Sequence, residues 1–295
     1  MKGENIVIAT DLSDNSAVAA RWGYRLAETF DMNVVVTHVV AISVSNWASG
    51  AYDILEDPTN FQHAEHRVGD WYEEITGERP HAVDLRVGTP QVQLTESVEE
   101  FDAAMLALSM SGKGAVKKLF VGSTAQALAS HPPCPVAIVH HHFESFHQPP
   151  RLAVGCDFSE NSDRAVEYAA SLAKLTGSTL DIVHADTAPD LDFIDEEDIE
   201  GAPGDEDHQA WAEEEMVEMK SRMEDALAGV DYHTHIVHNS PSRGLIHFAK
   251  EDESDVILVG RSGQSEFVGA VLGSVINTLL QSMPCTTVVV PLGDS

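Results

Sequence analysis

Apolar positions along this chain follow two rhythms. Short unbroken runs such as IVIAT (6–10), LAVG (152–155) and VILV (256–259) have the length of buried strands, and the stretches between them carry apolar residues at helical spacing. The second half is the clearest. RLAVGC reads as a strand, and SENSDRAVEYAASLAKLTG as a helix with N-cap candidates at Ser159 through Ser162 and Gly177 as the residue that stops it. TLDIVHA is the next strand, followed by an acidic segment, a helix ending near Ala228 and the strand YHTHIVH. Ser242–Lys250 then reads as a helix, Asp255–Val259 as a strand, Ser274–Gln281 as a helix and Thr286–Pro291 as the last strand. Strands and helices alternating at these lengths predict an α/β fold, a parallel sheet covered by helices on both faces. Such sheets take ligands at the carboxyl ends of their strands, where strand order reverses.

The pattern occurs twice. IVIATDLSDNSAVA (6–19) and LAVGCDFSENSDRA (152–165) align at an offset of 146, which pairs Asp11, Ser13, Asn15 and Ser16 with Asp157, Ser159, Asn161 and Ser162; His38 pairs with His184 in the same register. Nearer the ends, GSTAQALASHPPCPVAIV (122–139) aligns with GSVINTLLQSMPCTTVVV (273–290) at offset 151. The five extra residues fit a surface loop, where added length costs little. The chain therefore reads as a tandem duplication with a first domain over 1–139, a linker over 140–150 (HHHFESFHQPP) and a second domain over 151–295.

Charge changes the picture of the surface. Forty-eight acids against seventeen Lys and Arg give a formal net charge of −31. Nucleic acid and anionic membranes are bound through clustered cations, so both are excluded as partners. The surface is that of a protein adapted to concentrated salt. We accordingly expect the melting temperature to fall as salt is withdrawn and the Debye length grows from about 3 Å at 1 M to about 30 Å at 0.01 M. A melting temperature that is flat or rises on dialysis into low salt contradicts that expectation. Hydrophobic content of 43% supports packed cores, no apolar run approaches a bilayer span, and MKGENIVIATD enters a strand without a leader pattern, so the expected location is the cytoplasm. Cys134, Cys156 and Cys285 lie in or beside apolar runs without metal spacing and read as buried thiols.

Candidate chemistry sits in GRSGQSEFVGAVLGS (260–274), directly after a strand. Glycines there allow backbone N–H groups to approach an anion, and Gly273–Ser274 opens a helix whose free N–H groups and dipole favour phosphate. Taken alone, the same glycines fit ordinary turns. With the Gly-x2-Gly-x9-Gly-Ser spacing, the strand ending in Asp before a Ser-rich turn, VHA in the second strand and Pro-Cys before the last, both halves resemble universal stress protein domains, and the whole chain resembles the tandem form of that family.

The resemblance implies two doubly wound domains, each a five-stranded parallel sheet of order 3-2-1-4-5, and an ATP site in the crevice between the first and fourth strands. It implies that Asp157 and the backbone at Ala185 hold the adenosine end, and that Gly260, Gly263, Gly273 and Ser274, beside Arg261, hold the phosphates. In the first half the counterparts are Asp11, Val39, Gly112, Gly122 and Ser123. The cofactor expected is ATP, with or without Mg. The function implied is a stress-response protein that uses nucleotide as a regulatory ligand; a scaffold without nucleotide and a slow ATP hydrolase are the alternatives. Family dimers pair at the last strand, so PVAIV (135–139) and TVVVP (287–291), apolar and at a sheet edge, are expected to join the halves as an intramolecular pseudo-dimer, with a homodimer a further option.

The first half departs from the motif. SMSGKGAVKKLFVGS (109–123) puts Ser109 where the first glycine belongs, a residue expected to crowd the phosphates or to need an unfavourable backbone angle, and adds Lys113, Lys117 and Lys118. The second half is therefore expected to bind more tightly. No Gly-x-Ser-x-Gly elbow, His-Glu-x-x-His helix or Walker lysine is present, so no catalytic residues are assigned. His140–His142 reads as linker, His63 and His66 as an exposed helical pair, His38 and His184 as structural, and the thirteen acids of 190–215 as a solvated loop, so no metal site is assigned either.

Overall fold

The computed structural model describes residues 3–41, 58–111, 121–186, 205–261 and 272–292. The chain divides into two compact units, Met1–Phe146 with Thr286–Pro291 and His147–Cys285 with Leu292–Ser295. The first runs β1 (Asn5–Thr10), α1 (Asp14–Phe30), β2 (Asn33–Ala41), α2 (Pro58–Thr76), β3 (Ala82–Gly88), α3 (Pro90–Glu100), β4 (Ala103–Ser109), α4 (Ser123–Ser130) and β5 (Val136–Val139). The second runs β6 (Leu152–Gly155), α5 (Glu160–Thr176), β7 (Leu180–Asp186), α6 (Asp205–Arg222), α7 (Glu224–Leu227), β8 (Tyr232–His238), α8 (Pro241–Glu251), β9 (Val256–Gly260) and α9 (Ser274–Ser282).

In the first unit the strands lie in the order β3-β2-β1-β4-β5, all parallel. The chain's last strand, β10 (Thr286–Val290), belongs to this unit and runs antiparallel to β5, with Val288 opposite Ala137. The strands of the second unit follow β8-β7-β6-β9, the same 3-2-1-4 sequence. In both, the first strand of the repeat sits between the second and the fourth, and strand order reverses beside it.

The central strands are buried on both faces, as an unbroken apolar run requires. Ile6, Val7 and Ile8 in β1 and Leu106 and Ala107 in β4 are wholly inaccessible, as are Ala153, Val154, Ile257 and Leu258 in the second unit. Each Ile or Leu buried in this way contributes about 1.5–3 kcal/mol relative to exposure. The helices following β1 and β6 present small residues to the sheet, Ala19, Ala20 and Gly23 in α1 and Ala165, Ala169 and Ala170 in α5. Ser13 and Ser159 cap them, each accepting from the backbone N–H three residues on, and α5 stops at Gly177 in the left-handed conformation (φ 67°). The helix expected to end near Ala228 is two: α6 closes at Arg222 and α7 follows after Met223.

Within each unit, arginines brace the acidic surface. Arg86, largely buried, ties Asp84 (2.6 Å) to Glu100 at 2.5 Å, and Arg222 of α6 reaches Asp163 in the first turn of α5 at 3.0 Å. No described helix is long and apolar enough to cross a membrane.

Candidate nucleotide site

In each repeat the loop after the first strand and the loop after the fourth leave adjacent parallel strands, β1 and β4 in one unit and β6 and β9 in the other. After β1 the chain turns through Asp11 and Leu12 into the N-cap Ser13; after β6 it turns through Asp157 and Phe158 into Ser159. In both turns the carboxylate Oδ1 accepts from the serine backbone N–H (3.1 and 3.2 Å) and from its hydroxyl (2.5 Å in each). Between them stands a residue that is not glycine yet has left-handed φ, Leu12 at 60° and Phe158 at 62°. A conformation that costs about 1–3 kcal/mol is kept at the same point of both repeats, in the turn that each aspartate closes onto its serine. Sequence reasoning missed this feature. Its signal was an Asx-type turn, Asp-x-Ser, with a bulky residue at x.

In the first unit these strand ends line an open cavity of about 460 Å³. Its walls include Thr10 at the end of β1 and Asp11 just after it, Thr37 and Val39 from β2, Ser109 at the end of β4, and Gly122 and Ser123 at the start of α4. Four of the five residues expected to form the first-half site thus meet in one space; the fifth, Gly112, lies outside the described residues. Gly122 is the N-cap of α4, and its N–H donates to the Met110 carbonyl at 2.7 Å. Among the described residues no side chain caps this helix. The same holds for α9, whose N-cap is Gly273. The helices after the first strands are closed by serines; these two present uncapped first turns, the arrangement that favours an anion.

Ser109 corrects one expectation. It needs no unusual backbone angle, because it is the last residue of β4 and extended, and its hydroxyl donates to the Ser111 carbonyl at 3.2 Å. Its counterpart Gly260 is required for another reason. A Cβ at Gly260 would stand 2.6 Å from the Asn161 carbonyl oxygen in the first turn of α5. That glycine lets the end of β9 press against the helix start.

In the second unit Asp157 follows β6, Ala185 lies in β7 and Gly260 closes β9, the ends of three adjacent parallel strands. Arg261 follows Gly260, and its carbonyl lies 3.8 Å from where a Cβ on Gly273 would be. Ser274 is the first residue of α9. Gly263 lies outside the described residues.

His184 and His38 act as staples: each Nδ1 meets the carbonyl of the residue ending the neighbouring strand region, Cys156 at 2.9 Å and Thr10 at 2.7 Å. Phe158 stacks on the His184 ring with centroids 4.3 Å apart, and Trp211 of α6 meets Phe158 edge-on at 5.8 Å. Burial pushes the thiols of Cys134 and Cys285 up to about 12 and that of Cys156 to about 11, so all three stay protonated. Burial, with His141 and His142 adding to it, pulls His140 down to about 4. The imidazole of His140 is therefore neutral at physiological pH.

Comparison with known proteins gives one answer. The universal stress protein family profile matches residues 3–140 and 150–291. A universal stress protein of Mycolicibacterium smegmatis is 27% identical over 97% of this chain and 96% of its own length, and one of Mycobacterium tuberculosis is 28% identical over 95% of each. Among solved structures, a universal stress protein from Archaeoglobus fulgidus superposes with a TM-score of 0.70 at 21% identity, covering 99% of this chain and 100% of that one, a likeness of fold. With both repeats matched and relatives aligned almost end to end, the chain belongs to the universal stress protein family.

Proposed function

We propose that this protein binds an adenine nucleotide, ATP in the first instance, and uses it as a regulatory ligand that biases conformation or assembly. The observation that carries the reading is the first unit's cavity. A volume of about 460 Å³ falls in the range of small-ligand sites, about 300–1,000 Å³. One wall supplies a fixed carboxylate, Asp11, suited to ribose hydroxyls, and another the uncapped amino end of α4 at Gly122–Ser123, suited to phosphate. With Ser109 extended and hydrogen-bonded within its own turn, its geometry does not bar the first repeat. The reading therefore covers both repeats, with Asp157, Ala185, Gly260, Arg261, Gly263, Gly273 and Ser274 as the second set. Mg accompanying the phosphates belongs to the same reading.

The tight Asp–Ser turns offer a holder for ribose. Catalysis would need a further group poised on an attacking water, so ligand binding is the simpler reading. Calorimetric titration of ATP tests it. Asp11→Ala removes a charged acceptor worth about 1.5–3 kcal/mol, so the affinity of one site should fall about 10- to 100-fold, and Asp157→Ala should do the same to the other. Wild-type protein that takes up no ATP would leave the scaffold reading in its place. Loss confined to one aspartate variant would assign binding to that repeat alone.

A further inference from the structure

We propose that the second unit carries a transition-metal site formed by Asp181, His233 and His235, which takes a divalent cation of the zinc class. Among the described residues these three form a group whose potential ligand atoms all lie within 4.8 Å of one another. They sit near the amino ends of β7 and β8, at the opposite end of the strands from the glycine loops.

The placement follows from strand geometry. His233 and His235 are two apart in β8, so their side chains leave the same face. Asp181 is the register partner of His233 on the parallel neighbour β7. The Asp181 Oδ1 lies 2.7 Å from Nε2 of His235 and 3.5 Å from Nδ1 of His233. Bonds of about 2.0–2.2 Å put neighbouring donors of a tetrahedral zinc ion about 3.4 Å apart, and the two observed spacings lie on either side of that value. All three potential ligand atoms lie within 4.8 Å of one another, so the side chains have to turn inward to close on the ion.

The donor set selects the metal. Two imidazoles and a carboxylate suit zinc, cobalt, nickel or copper rather than magnesium or calcium, which prefer oxygen alone. Phe248 of α8 backs the His235 ring at 4.7 Å and restrains it. His233 is 63% exposed, which leaves an approach for the ion and room for a water in the fourth position.

The first repeat shows that the fold itself does not demand these residues. There the register pair is Val35 and Ala82, and the residue two further along β3 is Asp84. The Asp84 Oδ2 is occupied by Ser97 at 2.7 Å and Arg86 at 2.6 Å. One repeat closes this corner of the sheet with an ion pair, and the other presents a histidine pair facing a carboxylate.

The test uses the full chain without a histidine tag, stripped with chelator, and titrated with Zn(II) by calorimetry and with Co(II) by visible absorption. We expect one zinc equivalent whose affinity falls at least tenfold in His233→Ala, His235→Ala and Asp181→Asn, together with loss of the cobalt d–d band. Replacement of His140, His141 and His142 by alanine should leave both signals in place. His233 is exposed, so its alanine variant should melt like wild type and serves as the decisive one even if Asp181→Asn folds poorly. Wild type that takes up no zinc, His233→Ala that binds as wild type does, or binding lost only in the triple-histidine variant would each overturn the proposal. ATP titration is a separate readout, so failure here leaves the nucleotide reading untouched.

Discussion

Gly260→Ala should lower the stability of the second unit by about 1–3 kcal/mol, the cost of forcing one extra carbon into a filled space. The new Cβ would come within 2.6 Å of the Asn161 carbonyl oxygen and 2.9 Å of its carbon. These are backbone atoms in the first turn of α5, and they cannot rotate aside. The turn is itself pinned, because Ser159 caps it and Asp157 holds Ser159. Relief therefore has to come from moving β9 or the helix as a whole. For a unit of this size the loss corresponds to roughly 3–10 °C in melting temperature, readable by calorimetry. The reciprocal change, Ser109→Gly, should alter melting by far less, since that serine is extended and accommodated. If Gly260→Ala melts like wild type yet loses nucleotide, the glycine is present for the phosphates and the packing account fails.

That pair of positions also marks where the sequence was legible and where it was not. Strands such as VILV (256–259) were plain because burial on both faces demands an unbroken apolar run, and the boundaries fell within a residue or so of β9 and α9. The caps Ser159 and Gly177 were plain because helix ends have a narrow chemistry. The reason for Gly260 was not. A glycine that makes room for another segment's backbone looks the same in sequence as one that makes room for a ligand, and Asn161 is 99 residues away. Leu12 and Phe158 were hidden for a related cause: left-handed φ at a bulky residue is imposed by the turn around it, against the residue's own preference. The Asp181–His233–His235 group was invisible because it depends on the parallel register of β7 and β8, and the spacing of two between the histidines signals only a strand.

Gly273→Val should abolish nucleotide binding by the second repeat while leaving the fold in place, and Gly122→Val should do the same in the first. Both glycines are N-caps with ordinary extended angles, φ −55° and −65°, so neither conformation needs glycine. At Gly273 the nearest atom to a new Cβ is the Arg261 carbonyl at 3.8 Å, an ordinary contact; at Gly122 it is the Met110 carbonyl at 3.3 Å, which is tighter. A branched side chain in either place stands over the first turn of its helix, where no side-chain cap is made and where the phosphates are proposed to sit. Two charge-assisted hydrogen bonds at about 1.5–3 kcal/mol each are then lost, a drop of at least about 100-fold in ATP affinity. Gly273→Val is the cleaner variant because its site has room, and it should melt within a degree or two of wild type. Unchanged affinity for ATP at both sites in the double variant would show that the helix ends take no part in binding, and the phosphate cradle would have to be abandoned.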